Sequence, residues 1–236
     1  MTLCTDWDYG FSRRPEQWSK DKTRQSPIDI DTANLQEGED RRLTFDYREA
    51  DVKLLLKSPK LELKPMTEGA WGAISVDGKN WTLDSVHAHA PGEHSVNGDL
   101  YPGEVHFVHK PQGDESKEPP LLVVGAFLAY QEDSLVLPFE KYLKNGAGYK
   151  YKSGELELHP GHPFDPYQIL PKKPSAYYAY KGSLTTPPCD ERVEFLLLKN
   201  PVLVTPDSLR GFDEWFPGGT NRPIQPRFQR PVFLHK

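Results

Sequence analysis

The chain of 236 residues is long enough for one large β or α/β domain, or two small ones, around a sizeable core. Its 36% hydrophobic and 11% aromatic content suits a soluble globular protein, and a formal charge of −5 gives no general attraction for nucleic acid or anionic lipid. The longest strongly apolar run, LLVVGAFLAY from Leu121 to Tyr130, is too short to span a bilayer, so no membrane span is expected, and a small neutral or anionic substrate fits best.

The segment from Met1 lacks the basic-then-apolar pattern of a signal peptide. We lean to a secreted or extracytoplasmic processed chain, with the cytoplasm as the alternative. Short runs rich in β-formers then recur: Val52 to Leu56, Ala73 to Val76, Leu83 to Ala90, Val105 to His109, Leu121 to Ala129, Tyr177 to Tyr180, Arg192 to Leu198 and Pro201 to Val204. Helical patterning is confined to Ser134 to Asn145 and Asp207 to Phe216, with Ser134 and Asp207 as helix starts. The 23 prolines and 18 glycines are spread along the chain, which argues for many short elements and against a linker. We find no repeat. These signals predict one mainly β domain over residues 1–236 with short peripheral helices.

Five of the eight histidines fall between Val86 and Lys110. In a strand, side chains two apart share a face, so His87 and His89 project together and can share an ion. The run Ser95 to Asp99 reads as a turn that lets the following strand carry His106 beside them. Glu104, two residues before His106, lies on its face as an orienting carboxylate. His109 faces the other way. A strand histidine is ordinarily a hydrogen-bonded core or surface residue, but this company favours a metal. Three neutral nitrogens leave a tetrahedral zinc one open position for water. His159, His162 and His235 have no such company, and ELHPGHP reads as a proline-bent loop.

The motifs WDYG (Trp7 to Gly10), PEQW (Pro15 to Trp18), RQSPIDI (Arg24 to Ile30), HAHAPGEH (His87 to His94), GEVHFVH (Gly103 to His109), YKGSLTTPPC (Tyr180 to Cys189) and NRPIQP (Asn221 to Pro226) span nearly the whole chain. In order and spacing they resemble the α-class carbonic anhydrases. The resemblance implies a single domain built on a central, twisted, ten-stranded, mostly antiparallel sheet with a zinc ion at the bottom of a conical cleft. It implies reversible hydration of carbon dioxide to bicarbonate and a proton by zinc-bound hydroxide, with weak esterase side activity.

By the same resemblance His87, His89 and His106 are the zinc ligands, and Glu104 is the carboxylate behind His106. Glu93 accepts the hydroxyl proton of Thr185, which orients the hydroxide. The backbone N–H of Thr185 and the hydroxyl of Thr186 hold the product or an inhibitory anion, so sulfonamide and anion inhibitors are expected. His94 braces the site by bonding Glu104, Tyr180 and Ser26. Val108, Val123, Leu184 and Phe195 form the wall that receives carbon dioxide.

Departures from the family pattern also carry information. Pro59 falls where many members have the histidine that ferries the proton to buffer, so proton transfer is expected to limit turnover. Ser85 stands in place of a glutamine that orients the first ligand, Phe195 in place of a tryptophan, and Ala88 in place of an aromatic between two ligands. These changes imply looser zinc retention. Cys189 lacks the cysteine that extracellular members place before QSPI, which leaves a bridge to Cys4 and two free thiols both open. The rival to the enzyme is a catalytically silent relative that binds or stores. Another zinc hydrolase would need a motif such as HExxH, which is absent from the sequence. Oligomeric state is not legible in the sequence.

Overall fold

The computed structural model describes residues 22–57, 60–135, 155–159, 161–172, 174, 176–210, 216 and 218–236. Strands come first in chain order as β1 (Asp29–Ile30), β2 (Gln36–Glu37), β3 (Leu43–Tyr47), β4 (Ala50–Lys57), β5 (Lys60–Pro65), β6 (Gly72–Val76) and β7 (Lys79–His89). They continue as β8 (Ser95–Val96), β9 (Asp99–Leu100), β10 (Gly103–Pro111), β11 (Leu121–Leu135), β12 (Glu155–Leu158), β13 (Pro163–Phe164), β14 (Tyr177–Gly182), β15 (Val193–Val204) and β16 (Phe233–His235).

Thirteen strands form one sheet with an unbroken path β12-β4-β5-β7-β10-β11-β15-β14-β16-β2, joined from the side by β3, β6 and β13; β1, β8 and β9 make a separate small sheet. The path therefore holds ten strands, and in it only β11 with β15 and β16 with β2 pair in parallel. Among the described residues three short 3-10 helices, Thr32–Asn34, Pro166–Ile169 and Pro206–Leu209, lie outside the sheet. No described helix is long and apolar enough to cross a membrane.

Strand alternation divides the core into two layers. Val86 and Ala88 of β7, Val105 and Phe107 of β10, and Leu122, Val124, Ala126 and Leu128 of β11 belong to the larger hydrophobic cluster. Leu121, Val123 and Phe127 of β11, with Val193, Phe195 and Leu197 of β15, belong to the other. The second layer is the histidine side. Burying a Val, Leu or Phe side chain stabilises by roughly 1.5–3 kcal/mol, and the two faces of β11 do this without an exposed residue from Leu121 to Leu128.

Several sequence expectations change in the structure. Ser134, expected to start a helix, is a residue of β11, and residues 136–145 of that expected helix lie outside the described residues. The second helix begins at Pro206 after Thr205, whose side chain makes no capping bond, so Asp207 sits in its first turn; residues 211–215 are outside the described set. The runs expected as two strands, Arg192 to Leu198 and Pro201 to Val204, form the single strand β15. Its register against β11 jumps between Ala126↔Leu198 and Leu128↔Val202, an irregularity that accommodates Pro201 where a regular ladder would need its N–H. The alternating runs LTFDY (β3) and KLELKP (β5) were not expected as strands.

A second irregularity lies beside the histidines. Val108 pairs with Ser85, but His109 pairs with Leu83, so Asp84 is an extra residue on β7. Its carboxylate accepts from Lys110 Nζ at 2.6 Å and Lys64 Nζ at 3.1 Å, tying β5 and β10 to β7 where the ladder is interrupted. The segment KPMTEGAWGA turns the chain from β5 into β6 and buries Trp71 edge-on against Phe164 at 5.6 Å between ring centroids.

Candidate metal centre and cavity

β7 and β10 run antiparallel with His87 opposite His106, and the Asn97-Gly98 turn reverses the chain between them with positive φ at both residues. The rings of His87, His89 and His106 have centroids 4.9–5.2 Å apart. One ring nitrogen of each lies within 4.8 Å of the others.

The tautomers follow from their partners. A carbonyl only accepts, so His89 Nδ1–H donates to Thr220 O at 2.5 Å and Nε2 keeps its lone pair. Burial holds the His89 imidazole below its usual range and therefore neutral. A carboxylate likewise only accepts, so His106 Nε2–H donates to Glu104 Oε1 at 2.7 Å and leaves the lone pair on Nδ1. His89 Nε2 and Glu93 Oε2 are both buried without a hydrogen-bond partner and stand 3.4 Å apart. Two acceptors facing each other in the interior repel unless a cation compensates them. The donor set of neutral imidazoles matches zinc.

Behind the trio, Glu104 is saturated. Oε1 accepts from His106 and from His94 Nδ1 at 2.7 Å, and Oε2 accepts from the backbone N–H of Glu93 at 2.9 Å and of His94 at 2.8 Å. Burial alone would raise its carboxyl, but the imidazoles of His94 and His106 and the bonds they make hold it well below the usual carboxylate range. His94 Nε2 meets the Tyr180 hydroxyl at 2.6 Å, and the hydroxyls of Tyr180 and Ser26 lie 2.8 Å apart. The expected fan of three partners around His94 is thus a chain, with Ser26 reached through Tyr180. Phe195 stacks on Tyr180 at 5.3 Å and packs edge-on against His94 at 4.9 Å and His106 at 5.7 Å.

The cavity beside His87 and His106 has a volume of about 430 Å3. Its lining includes His87, His106, Ser85, Thr185, Thr186 and the apolar residues Val108, Val123, Leu184 and Phe195. The threonine loop is closed by Leu184 N–H to Asp190 O at 3.0 Å and Cys189 N–H to Thr186 O at 2.9 Å. Glu93 Oε1 accepts from the Arg222 N–H at 2.9 Å, while Oε2 has no hydrogen-bond partner, so the expected Thr185-to-Glu93 bond is not formed in this structure. Ala88 points into the core on the far side of the sheet, so its substitution alters that packing and not the cleft. Cys189 is a buried free thiol whose pKa burial pushes up to about 11; Cys4 and Pro59 lie outside the described residues.

Residues the sequence reading missed also build the site. Thr220 fixes the His89 tautomer and its Oγ1 accepts from Ala90 N–H at 3.0 Å. Arg222, fully buried, bonds Gln25 Oε1 at 2.9 Å and Ser26 O at 2.7 Å while its backbone holds Glu93. Arg222 lies inside the NRPIQP motif, but no local pattern marks an arginine as buried. His109, given no chemistry from sequence, donates from Nδ1 to Leu122 O at 3.0 Å and accepts at Nε2 from the Tyr47 hydroxyl at 2.8 Å.

The family model for eukaryotic-type carbonic anhydrase matches residues 13–236. A carbonic anhydrase of Neisseria gonorrhoeae is 30% identical over 97% of this chain and 87% of its own length. Alpha carbonic anhydrase 7 of Arabidopsis thaliana is 29% identical over 94% of this chain and 81% of its own. The solved α-carbonic anhydrase of Thermovibrio ammonificans, in complex with the inhibitor sulfanilamide, superposes with a TM-score of 0.80 at 32% identity, covering 97% of this chain and 98% of that one. The motifs, the sheet and the histidine trio thus meet in one conclusion: the chain belongs to the α-class carbonic anhydrases, a family of zinc lyases that hydrate carbon dioxide.

Proposed function

We propose that the chain works as a single domain that hydrates carbon dioxide reversibly, with zinc held by His87, His89 and His106. The observation that carries this reading is the buried, partnerless His89 Nε2, converging with one nitrogen each of His87 and His106. When bound, zinc would supply a Lewis acid that lowers the pKa of a water to about 7, and so a nucleophile at neutral pH.

The chain's own residues do the rest. Glu104 fixes the His106 ring and raises its basicity through the Nε2–H bond, and His94, Tyr180 and Ser26 hold Glu104 in place. Glu93, pinned by the Arg222 N–H, keeps Oε2 free to accept the Thr185 hydroxyl proton, which leaves the threonine oxygen able only to accept from the nucleophile and so to aim it. Val108, Val123, Leu184 and Phe195 give uncharged carbon dioxide an apolar wall. Thr186 and the Thr185 N–H hold bicarbonate, or an anion or sulfonamide inhibitor. With Pro59 at the usual shuttle position, the proton leaves to buffer. Activated esters are a weak second substrate for the same nucleophile, and a secreted or extracytoplasmic setting is the one we favour.

Stopped-flow hydration with zinc quantification, on the native protein and on Thr185→Ala, tests this. We expect stoichiometric zinc in both and a rate loss of about 100-fold or more in the variant, as for removal of a positioned group. Full zinc with no hydration in the native protein would instead identify a silent binding or storage relative.

A further inference from the structure

Among the basic residues lining the cavity, Arg192 differs from the rest. Lys110 is committed to Asp84 at 2.6 Å, and Lys117 is exposed on the rim. Arg192 is half-buried immediately before β15, just past the closed threonine loop that carries Thr185 and Thr186. One guanidinium nitrogen donates to the carbonyl of Pro119, a neutral acceptor on the same cavity wall. Its Nε–H is buried without a partner.

No described carboxylate neutralises it. The flanking acids are engaged elsewhere: Glu191 accepts from the Arg24 N–H at 2.6 Å and from Gln25 at 3.0 Å, and Glu194 pairs with Arg41 at 2.5 Å. A guanidinium has five donors in a planar fork suited to a carboxylate-like anion. Here one is used, by a neutral group. In a cavity also lined by Glu62, Glu68 and Glu115, an uncompensated arginine is the feature that favours an anion.

We propose that Arg192 is a specificity-determining residue for bicarbonate, drawing the anion to the threonine side of the cavity and holding it there. This rests on the carbon dioxide hydration reading, since bicarbonate is the anion that reaction makes and consumes. Carbon dioxide, being uncharged, gains nothing from Arg192, so the residue acts on the bicarbonate complex.

The test uses zinc-loaded protein and measures bicarbonate affinity by displacement of dansylamide, corrected for each variant's own dansylamide affinity. Arg192→Gln and Arg192→Met are expected to weaken bicarbonate about tenfold, the loss of one hydrogen bond to a charged group. Arg192→Lys, which keeps the positive charge, is expected to recover part of that loss. Lys117→Gln is expected to leave the affinity as in the native protein. Unchanged bicarbonate affinity in whichever neutral Arg192 variant retains its zinc, or a loss in Lys117→Gln instead, overturns the proposal. A native protein that binds zinc but does not hydrate carbon dioxide fails at the earlier reading, a separate result.

Discussion

Gly125 of β11 lies directly opposite His106 of β10, and a Cβ built on it would stand 3.3 Å from Glu104 Oε1, 3.8 Å from His106 Cδ2 and 2.5 Å from Leu197 Cδ2. The missing side chain is the space in which the Glu104–His106 bond is made. Gly125→Val should therefore cost about 1–3 kcal/mol of stability through overpacking and, by displacing the carboxylate, weaken zinc by about 10–100-fold. Denaturant unfolding and chelator competition measure the two effects; native-like zinc affinity in the variant would refute the second.

Glu104→Gln keeps the shape and removes the charge. An amide nitrogen cannot accept, so at least one of the four N–H groups on Glu104 would face another donor in the interior. Zinc affinity should drop by about 10–100-fold. An isosteric variant that binds zinc like the native chain would show that the negative charge is dispensable.

Stability should fall in acid in two separable windows. Burial holds His109 down at about 4, against 6.5 for the free side chain, so the unfolded chain binds the extra proton first and stability declines as pH drops from 6.5 toward 4. The full shift corresponds to on the order of 3 kcal/mol. Glu104, whose folded carboxyl is depressed, contributes stability present above its unfolded value of 4.5 and lost as pH falls below it. Urea unfolding of metal-free protein across pH 3–7 should show both, and His109→Gln should shrink the upper window without abolishing it, since burial holds His89 down as well, and should leave the lower one. A variant with the native slope above pH 4.5 would assign that slope to other groups.

Hydration at saturating carbon dioxide should rise with the concentration of a small imidazole buffer, because Pro59 carries no proton. Pro59→His should raise the rate in dilute buffer and reduce its dependence on imidazole. A native rate indifferent to buffer identity and concentration would mean that another group already carries the proton.

Zinc should leave this protein more readily than it leaves one with a glutamine two residues before the first ligand. Ser85 occupies that place on the histidine face of β7, fully enclosed and opposite Val108. Ser85→Gln is expected to slow zinc loss in prolonged dialysis against a strong chelator. Equal retention by both proteins would show that the orienting role has been taken over elsewhere.

What was legible in the sequence follows from how local each determinant is. The strands around Leu83 to Ala90, Val105 to His109 and Leu121 to Ala129 could be read because their alternation or apolar runs are contiguous, and the histidine trio because two adjacent strands carry it. LTFDY and KLELKP were passed over because their outward residues are charged or polar and dilute the β signal, although Leu61 and Leu63 are fully buried. Gly125, Thr220 and Arg222 were invisible because each acts through a partner distant in sequence. The Pro201 strand was split in two because a proline inside a strand ordinarily ends it, and only the irregular register against β11 makes room for it.

The spacing of these contacts also bears on how the site comes into being. His87 and His106 meet through a hairpin-like reversal nineteen positions long, from 87 to 106, whereas the Arg222 N–H reaches Glu93 across 129 positions and the Thr220 carbonyl reaches His89 across 131. Closing the longer loops costs more chain entropy and belongs to the slow, non-local part of folding. The ligand cage is thus the early, cheap part of the centre and its alignment the late part. We expect the histidines to gather before the site is aligned, with the interval between the two set by the return of the C-terminal segment to the sheet.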